Sequence, residues 1–167
     1  NGSVAQPSLS LSISDYNFSV WGNYVLGQEA GQGKFNEIDL IMGYSRNWNN
    51  ISFEPSLSFY SYPLNDFPDT GELGLKLSYS MGSAKLYTTQ NFDVVHNGGS
   101  YFGDMGLSLS GELSASLSFE TLIYLGWGSS KFNEVYLYSS KSALNAAGIE
   151  FAFPFSPQKD MSVRPHI

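Results

Sequence analysis

Apolar and polar residues alternate with a period of two along most of this chain, over stretches of about ten residues. Residues 51–60 set Ile51, Phe53, Pro55, Leu57 and Phe59 against Ser52, Glu54, Ser56, Ser58 and Tyr60. Residues 72–81 set Leu73, Leu75, Leu77, Tyr79 and Met81 against Glu72, Gly74, Lys76, Ser78 and Ser80. The pattern recurs over 104–110, 115–126 and 147–155. A strand turns successive side chains to opposite sides, whereas a helix repeats its face every three to four residues, so each stretch is a two-faced strand. A helix-prone window near 140–147 is too short to change the class.

The expected fold is therefore all-β. About ten strands are expected, near 8–14, 17–25, 35–47, 50–61, 71–81, 83–92, 101–110, 114–127, 143–155 and 160–167. Ordinary strands run to about 5 or 6 residues, and membrane-crossing strands need about 9 to 11. Several here reach the longer figure. The connections also alternate. Short links near Asp15, Trp48, Gly82, Gly111 and Ser156 take turns with long ones at 26–34, 63–70, 93–100 and 128–142. Tight turns at one end and long loops at the other are the layout of an outer-membrane barrel.

Composition narrows the field. The chain of 167 residues fits a single domain, 1–167. Charged residues are 14% and aromatic residues 16%, which excludes a disordered chain. The net charge is −7, and the eight Lys and Arg residues are scattered, so no nucleic acid partner is expected. No cysteine is present, which removes a disulfide framework, a thiol nucleophile and a cysteine zinc site. No apolar run approaches the roughly 18 to 20 residues of a membrane helix.

Together these features point to a transmembrane antiparallel up-and-down β-barrel in the bacterial outer membrane, with lipid as its main partner. The Leu, Phe and Ile face would meet lipid, and the Ser, Gly and Tyr face would line the lumen. Strand parity places Glu37, Asp39, Glu54, Glu72, Lys76, Lys85, Asp104, Glu120 and Glu150 in that lumen, because charges facing lipid are costly. Lys76 and Lys85 are candidate partners for Glu72, Glu54 or Asp104. Trp21, Tyr44, Tyr62, Tyr79, Tyr101 and Trp127, near strand ends, are candidates for interfacial girdles. If the short links are periplasmic and both termini of such a barrel are too, one strand is required upstream and one downstream. That gives about 12 strands in the full protein. A complete ten-stranded barrel, or strands supplied by another chain, are the alternatives.

The function expected of such a barrel is passive passage of small polar solutes or cations, without covalent chemistry or a cofactor; homo-oligomerisation is open. A closed structural barrel acting through its loops is one rival, and a soluble lipocalin-like binding barrel is another.

Pro7-Ser-Leu-Ser-Leu-Ser, Phe18-Ser-Val-Trp-Gly22, Phe35-Asn-Glu-Ile-Asp-Leu40 with Tyr44, Phe59-Tyr-Ser-Tyr-Pro63 and Thr70-Gly-Glu72 come in an order and spacing that resemble the TorF-type porins, a family of proteobacterial outer-membrane proteins. The resemblance runs from about residue 7 to 155 and implies a barrel of about 12 strands with a transport role. The family's usual first strand, ending in an Arg-Gly-like element, has no counterpart here.

Other groups carry weaker signals. His96 lies between Asp93 and Ser100, but the intervening Gly98-Gly99 reads as a loop, not a triad in register. Asp66, Asp69 and Glu72 offer oxygen ligands to a hard cation without the spacing of an EF-hand. Two histidines, His96 and His166, are too few for a histidine metal cluster, and no metal site is expected.

Overall fold

The computed structural model describes residues 3–27, 31–64, 67–158 and 161–163. Strands β1 (Val4–Ala5) and β2 (Ser8–Ile13) are followed by β3 (Tyr16–Val25), β4 (Phe35–Tyr44) and β5 (Arg46–Trp48). The chain continues through β6 (Ile51–Ser61), β7 (Thr70–Met81), β8 (Ala84–Asp93) and β9 (Tyr101–Glu112). Strand β10 (Ser118–Gly128), helix α1 (Ser130–Leu137), β11 (Ala143–Ala152), β12 (Phe155–Gln158) and β13 (Met161–Val163) complete it.

The first eleven strands make one antiparallel sheet in which the long strands β3, β4, β6, β7, β8, β9, β10 and β11 lie side by side in chain order. This is the up-and-down order that tight hairpins impose. Two positions in the sheet are occupied by interrupted strands. β1 and β2 both pair with β3, on either side of Pro7, which has no N–H to give to a ladder. The Pro7 carbonyl still accepts from Gly22 N at 3.1 Å. β4 and β5 both pair with β6, interrupted at Ser45.

Pro154 marks a similar break. The strand expected over 143–155 stops at Ala152, yet the Pro154 carbonyl accepts from Ser118 N (3.0 Å) and Ser156 N donates to Ser116 O (2.8 Å). β12 thus carries the course of β11 onward, and β13 turns back to pair with β12. Of the strand expected over 160–167, only Met161–Val163 lies among the described residues. The strand expected from 114 starts at Ser118, because Leu113 N and Ser114 N both donate to Leu117 O and tie the preceding residues into a turn. Among the described residues the sheet does not close on itself.

The alternation of connections is present. The turns after β2, β5 and β7 have two residues each, and the first of each pair has a positive φ: Ser14 (55°), Asn49 (52°) and Gly82 (66°). Two-residue turns whose twist matches that of paired strands need this conformation. The other end of the sheet carries the loops after β3, β6, β8 and β10. The last of these contains α1. Its position corrects the expectation of helical character near 140–147, which instead begins β11. The cap decides it. Ser129 Oγ accepts from Phe132 N (3.2 Å), and Tyr138 ends the helix at φ 54°.

The described residues form almost no apolar core. Among the described residues the buried hydrophobic side chains are Val25 and Ala152, whereas Leu9 is 75% exposed and Leu11, Leu40, Leu57, Leu73, Leu125 and Ile149 are also exposed. The sheet is held by its ladders and by cross-strand contacts, not by a packed interior.

Gly82→Val is expected to lower stability by about 1–2 kcal/mol, since an L side chain at positive φ is strained. Ser83→Val in the same turn serves as the control. Urea unfolding midpoints of the two variants check this.

Candidate functional site: the polar face of the sheet

The pairing register shows which side chains share a face. Glu54, Lys76, Thr89 and Asp104 are successive cross-strand partners. Lys85, Ser108, Leu122 and Glu150 form a second row. Glu72 is opposite Ser58 and Asp93, and Glu120 is opposite Ser110 and Ala152. Asp39 is opposite Trp21 and Tyr60, and Glu37 is opposite Asn23. Partners in register project to the same side. All nine charged residues singled out by strand parity therefore lie on one face. The other face carries Leu9, Val20, Leu40, Leu57, Leu73, Leu86, Leu107, Ile123 and Ile149.

Neither Lys76 nor Lys85 is ion-paired with Glu54, Glu72, Asp104 or Glu150. Among the described residues the one ion pair is Arg46 with Asp15, at 3.0 Å and at the short-turn end. Glu54 is directly opposite Lys76, but its carboxylate accepts from Ser52 Oγ at 2.8 Å. The Lys76 ammonium leans the other way, 5.5 Å from the centroid of the Tyr87 ring. The pairing expected of these lysines thus yields to a hydroxyl on one side and an aromatic face on the other.

Tyrosines shape the wall. In the row Tyr87, Gly106, Tyr124, Gly148, rings alternate with glycines. A Cβ at Gly106 would come within 2.6 Å of the Tyr87 ring, and one at Gly148 within 2.7 Å of the Tyr124 ring. Each ring lies flat over its neighbouring glycine, along the wall instead of across the space in front of it. A recess of about 480 Å³ opens beside this row, lined in part by Lys76, Lys85, Asp104, Glu120 and Glu150.

Towards the long loops the polar face holds acids and phenols. Tyr60 Oη donates to Glu72 Oε2 at 3.1 Å. Burial, and then the nearby Glu37, hold the Tyr62 phenol above its ordinary range. Burial, then Glu72 and Asp93, do the same to Tyr136 on α1. The helix reaches this end of the face, held by Lys131 Nζ donating to Gly98 O (2.5 Å) and Asn133 Nδ2 donating to Lys141 O (2.6 Å). Alternation within strands gave no sign of Tyr136, because it comes from a loop helix.

The six aromatic candidates divide. Tyr44, Tyr79, Tyr101 and Trp127 lie on the apolar face, near strand ends. Trp21 does not join them: it is the partner of Asp39, on the polar face, with the parity of Ser19 and Asn23. Tyr62 also stands with the acids, beside Glu37. On the apolar face a chain of hydrogen bonds links four of the polar side chains. Trp127 Nε1 donates to Tyr101 Oη (2.8 Å), Tyr101 Oη to Gln90 Oε1, Gln90 Nε2 to Thr88 Oγ1 (2.7 Å), and Thr88 Oγ1 to the Asp104 carbonyl (2.8 Å).

The remaining candidates are occupied by their loops. Asp93 accepts from Thr70 Oγ1 (2.6 Å), Val95 N (3.1 Å) and Asn97 N (2.9 Å), and Ser100 is buried. No hydrogen bond among the described residues joins the His96 ring to either. Asp69 accepts from Ser61 Oγ and Tyr62 N. Asp66 and His166 lie outside the described residues. Among the described residues no group of three His, Cys, Asp or Glu side chains is placed to hold a metal ion.

Comparison with protein-family models, with curated proteins and with solved structures finds no match to this chain.

Tyr101→Phe is expected to destabilise the fold by about 1–3 kcal/mol, because it leaves Gln90 Oε1 and Trp127 Nε1 without partners. Unfolding of the variant in detergent, with Tyr79→Phe as the comparison, checks this.

Proposed function

We propose that this chain forms a β-barrel of the bacterial outer membrane whose polar face lines a channel for passive passage of small polar solutes or cations. One observation carries the reading: the nine charged residues named above share one face, and the opposite face exposes Leu, Ile, Phe and Met along the long strands, with almost no apolar core among the described residues. In water such a surface would drive association. In lipid it is the surface expected of a barrel exterior. The linked hydrogen bonds of Trp127, Tyr101, Gln90 and Thr88 fit the same setting, where unsatisfied polar atoms are costly. Open sheet edges are not tolerated there either, so the reading requires the edges to be closed, by each other or by further strands. The resemblance to the TorF-type porins supports the same assignment.

Selectivity would come from the wall. The nine charged residues comprise seven acids and two lysines, which favours cations over anions.

Two measurements test the proposal. Leu57→Arg places a charge in the middle of the apolar face of β6 and is expected to weaken folding into lipid vesicles by about 2–4 kcal/mol. In a water-soluble barrel the same exposed position would tolerate Arg. In planar bilayers the full chain is expected to give discrete conductance steps that favour K⁺ over Cl⁻, and Asp104→Asn with Glu150→Gln should reduce that preference. A folded barrel that stays silent would favour a closed structural barrel acting through its loops.

A further inference from the structure

Opposite charges face each other across the recess on the polar face in two parallel rows. In the first, Lys85 on β8 is followed by Ser108, Leu122 and then Glu150 on β11. Three strand spacings separate the two charged residues, about 14 Å along the sheet. In the second, Lys76 on β7 is followed by Thr89 and then Asp104 on β9, two spacings or about 10 Å apart. Both rows run in the same sense: ammonium groups on β7 and β8, carboxylates on β9 and β11. No ion pair among the described residues joins either lysine to these acids. Lys76 leans over Tyr87, a residue that lines the recess, and away from Glu54, which does not line it.

A fixed separation of this kind is a transverse field. A simple cation or anion is attracted by one wall and repelled by the other. A solute that carries an ammonium and a carboxylate a few bonds apart is attracted by both. An extended dipeptide spans about 7 Å. It can lie across the recess with its carboxylate toward Lys76 and Lys85 and its ammonium toward Asp104 and Glu150. Thr89 and Ser108 lie between the charges; Thr89 offers its amide a hydroxyl, and Ser108, whose hydroxyl donates to the Lys85 carbonyl at 3.3 Å, offers an acceptor oxygen.

We infer that this recess is a subsite for zwitterions, amino acids and short peptides, within the channel. The inference rests on the channel reading above and narrows its solute class.

The test is osmotic swelling of liposomes containing the full chain, comparing glycylglycine with erythritol, a neutral polyol of similar size. Glycylglycine is expected to enter several-fold faster. Lys85→Glu alone and Glu150→Lys alone should each abolish that advantage, and exchanging both rows together (Lys76→Asp with Asp104→Lys, Lys85→Glu with Glu150→Lys) should restore it, since the two rows then again run in one sense, reversed. Circular dichroism of each variant confirms that it remains a β-sheet protein. Equal entry of the two solutes, with K⁺ conductance intact, overturns the zwitterion subsite and leaves the channel standing. So does an exchange of both rows that folds but fails to restore the preference. No swelling with either solute and no conductance overturns the channel reading and the subsite with it.

Discussion

Backbone hydrogen bonds between neighbouring strands hold this molecule together, because there is hardly any apolar interior to do so. In most domains of this size, burial of Leu, Ile and Phe side chains supplies the main driving force. Here Val25 and Ala152 are the buried hydrophobic residues among those described, and the large apolar side chains look outward. The sheet therefore depends on its surroundings. In water its apolar face is a liability. Against lipid that face costs nothing, and a ladder with no water competing for its groups becomes stronger.

That dependence explains why so much could be read from the residues. A strand in a sheet with two unlike surroundings must alternate, and a slip of one position would reverse every side chain. Parity alone put Glu37, Asp39, Glu54, Glu72, Lys76, Lys85, Asp104, Glu120 and Glu150 on one face, where the register places them. The same rule carried the information on Trp21, which shares the parity of Ser19 and Asn23, but aromatic character near a strand end suggested otherwise. Features set by contacts outside the ladder were not legible. The helix depends on a cap at Ser129 and on Asn133, whose amide reaches the Lys141 carbonyl. Opposite charge alone makes Lys76 and Lys85 candidate partners for Glu72, Glu54 or Asp104. Whether two side chains meet is decided by rotamers and by nearby alternatives, here Ser52 for Glu54 and the Tyr87 ring for Lys76.

The alternation of rings and glycines along Tyr87, Gly106, Tyr124 and Gly148 shows how the polar face stays open. A tyrosine beside a bulky neighbour would have to stand away from the sheet and fill the space before it. Beside a glycine it lies down. The wall thereby gains aromatic contact area without losing volume, and the recess with its separated charges is the result.

The strand order also has a kinetic side. Each long strand of the main sheet pairs with the strands next to it in sequence, so few contacts require distant parts of the chain to find each other early. The two-residue turns at Ser14, Asn49 and Gly82 can each start a hairpin independently, and growth proceeds outward by adding one neighbour at a time. The only entropically expensive event in completing a ring would be its last seam. An open sheet of this kind exposes two adhesive edges, and while they stay unpaired it is at risk of joining another copy of itself.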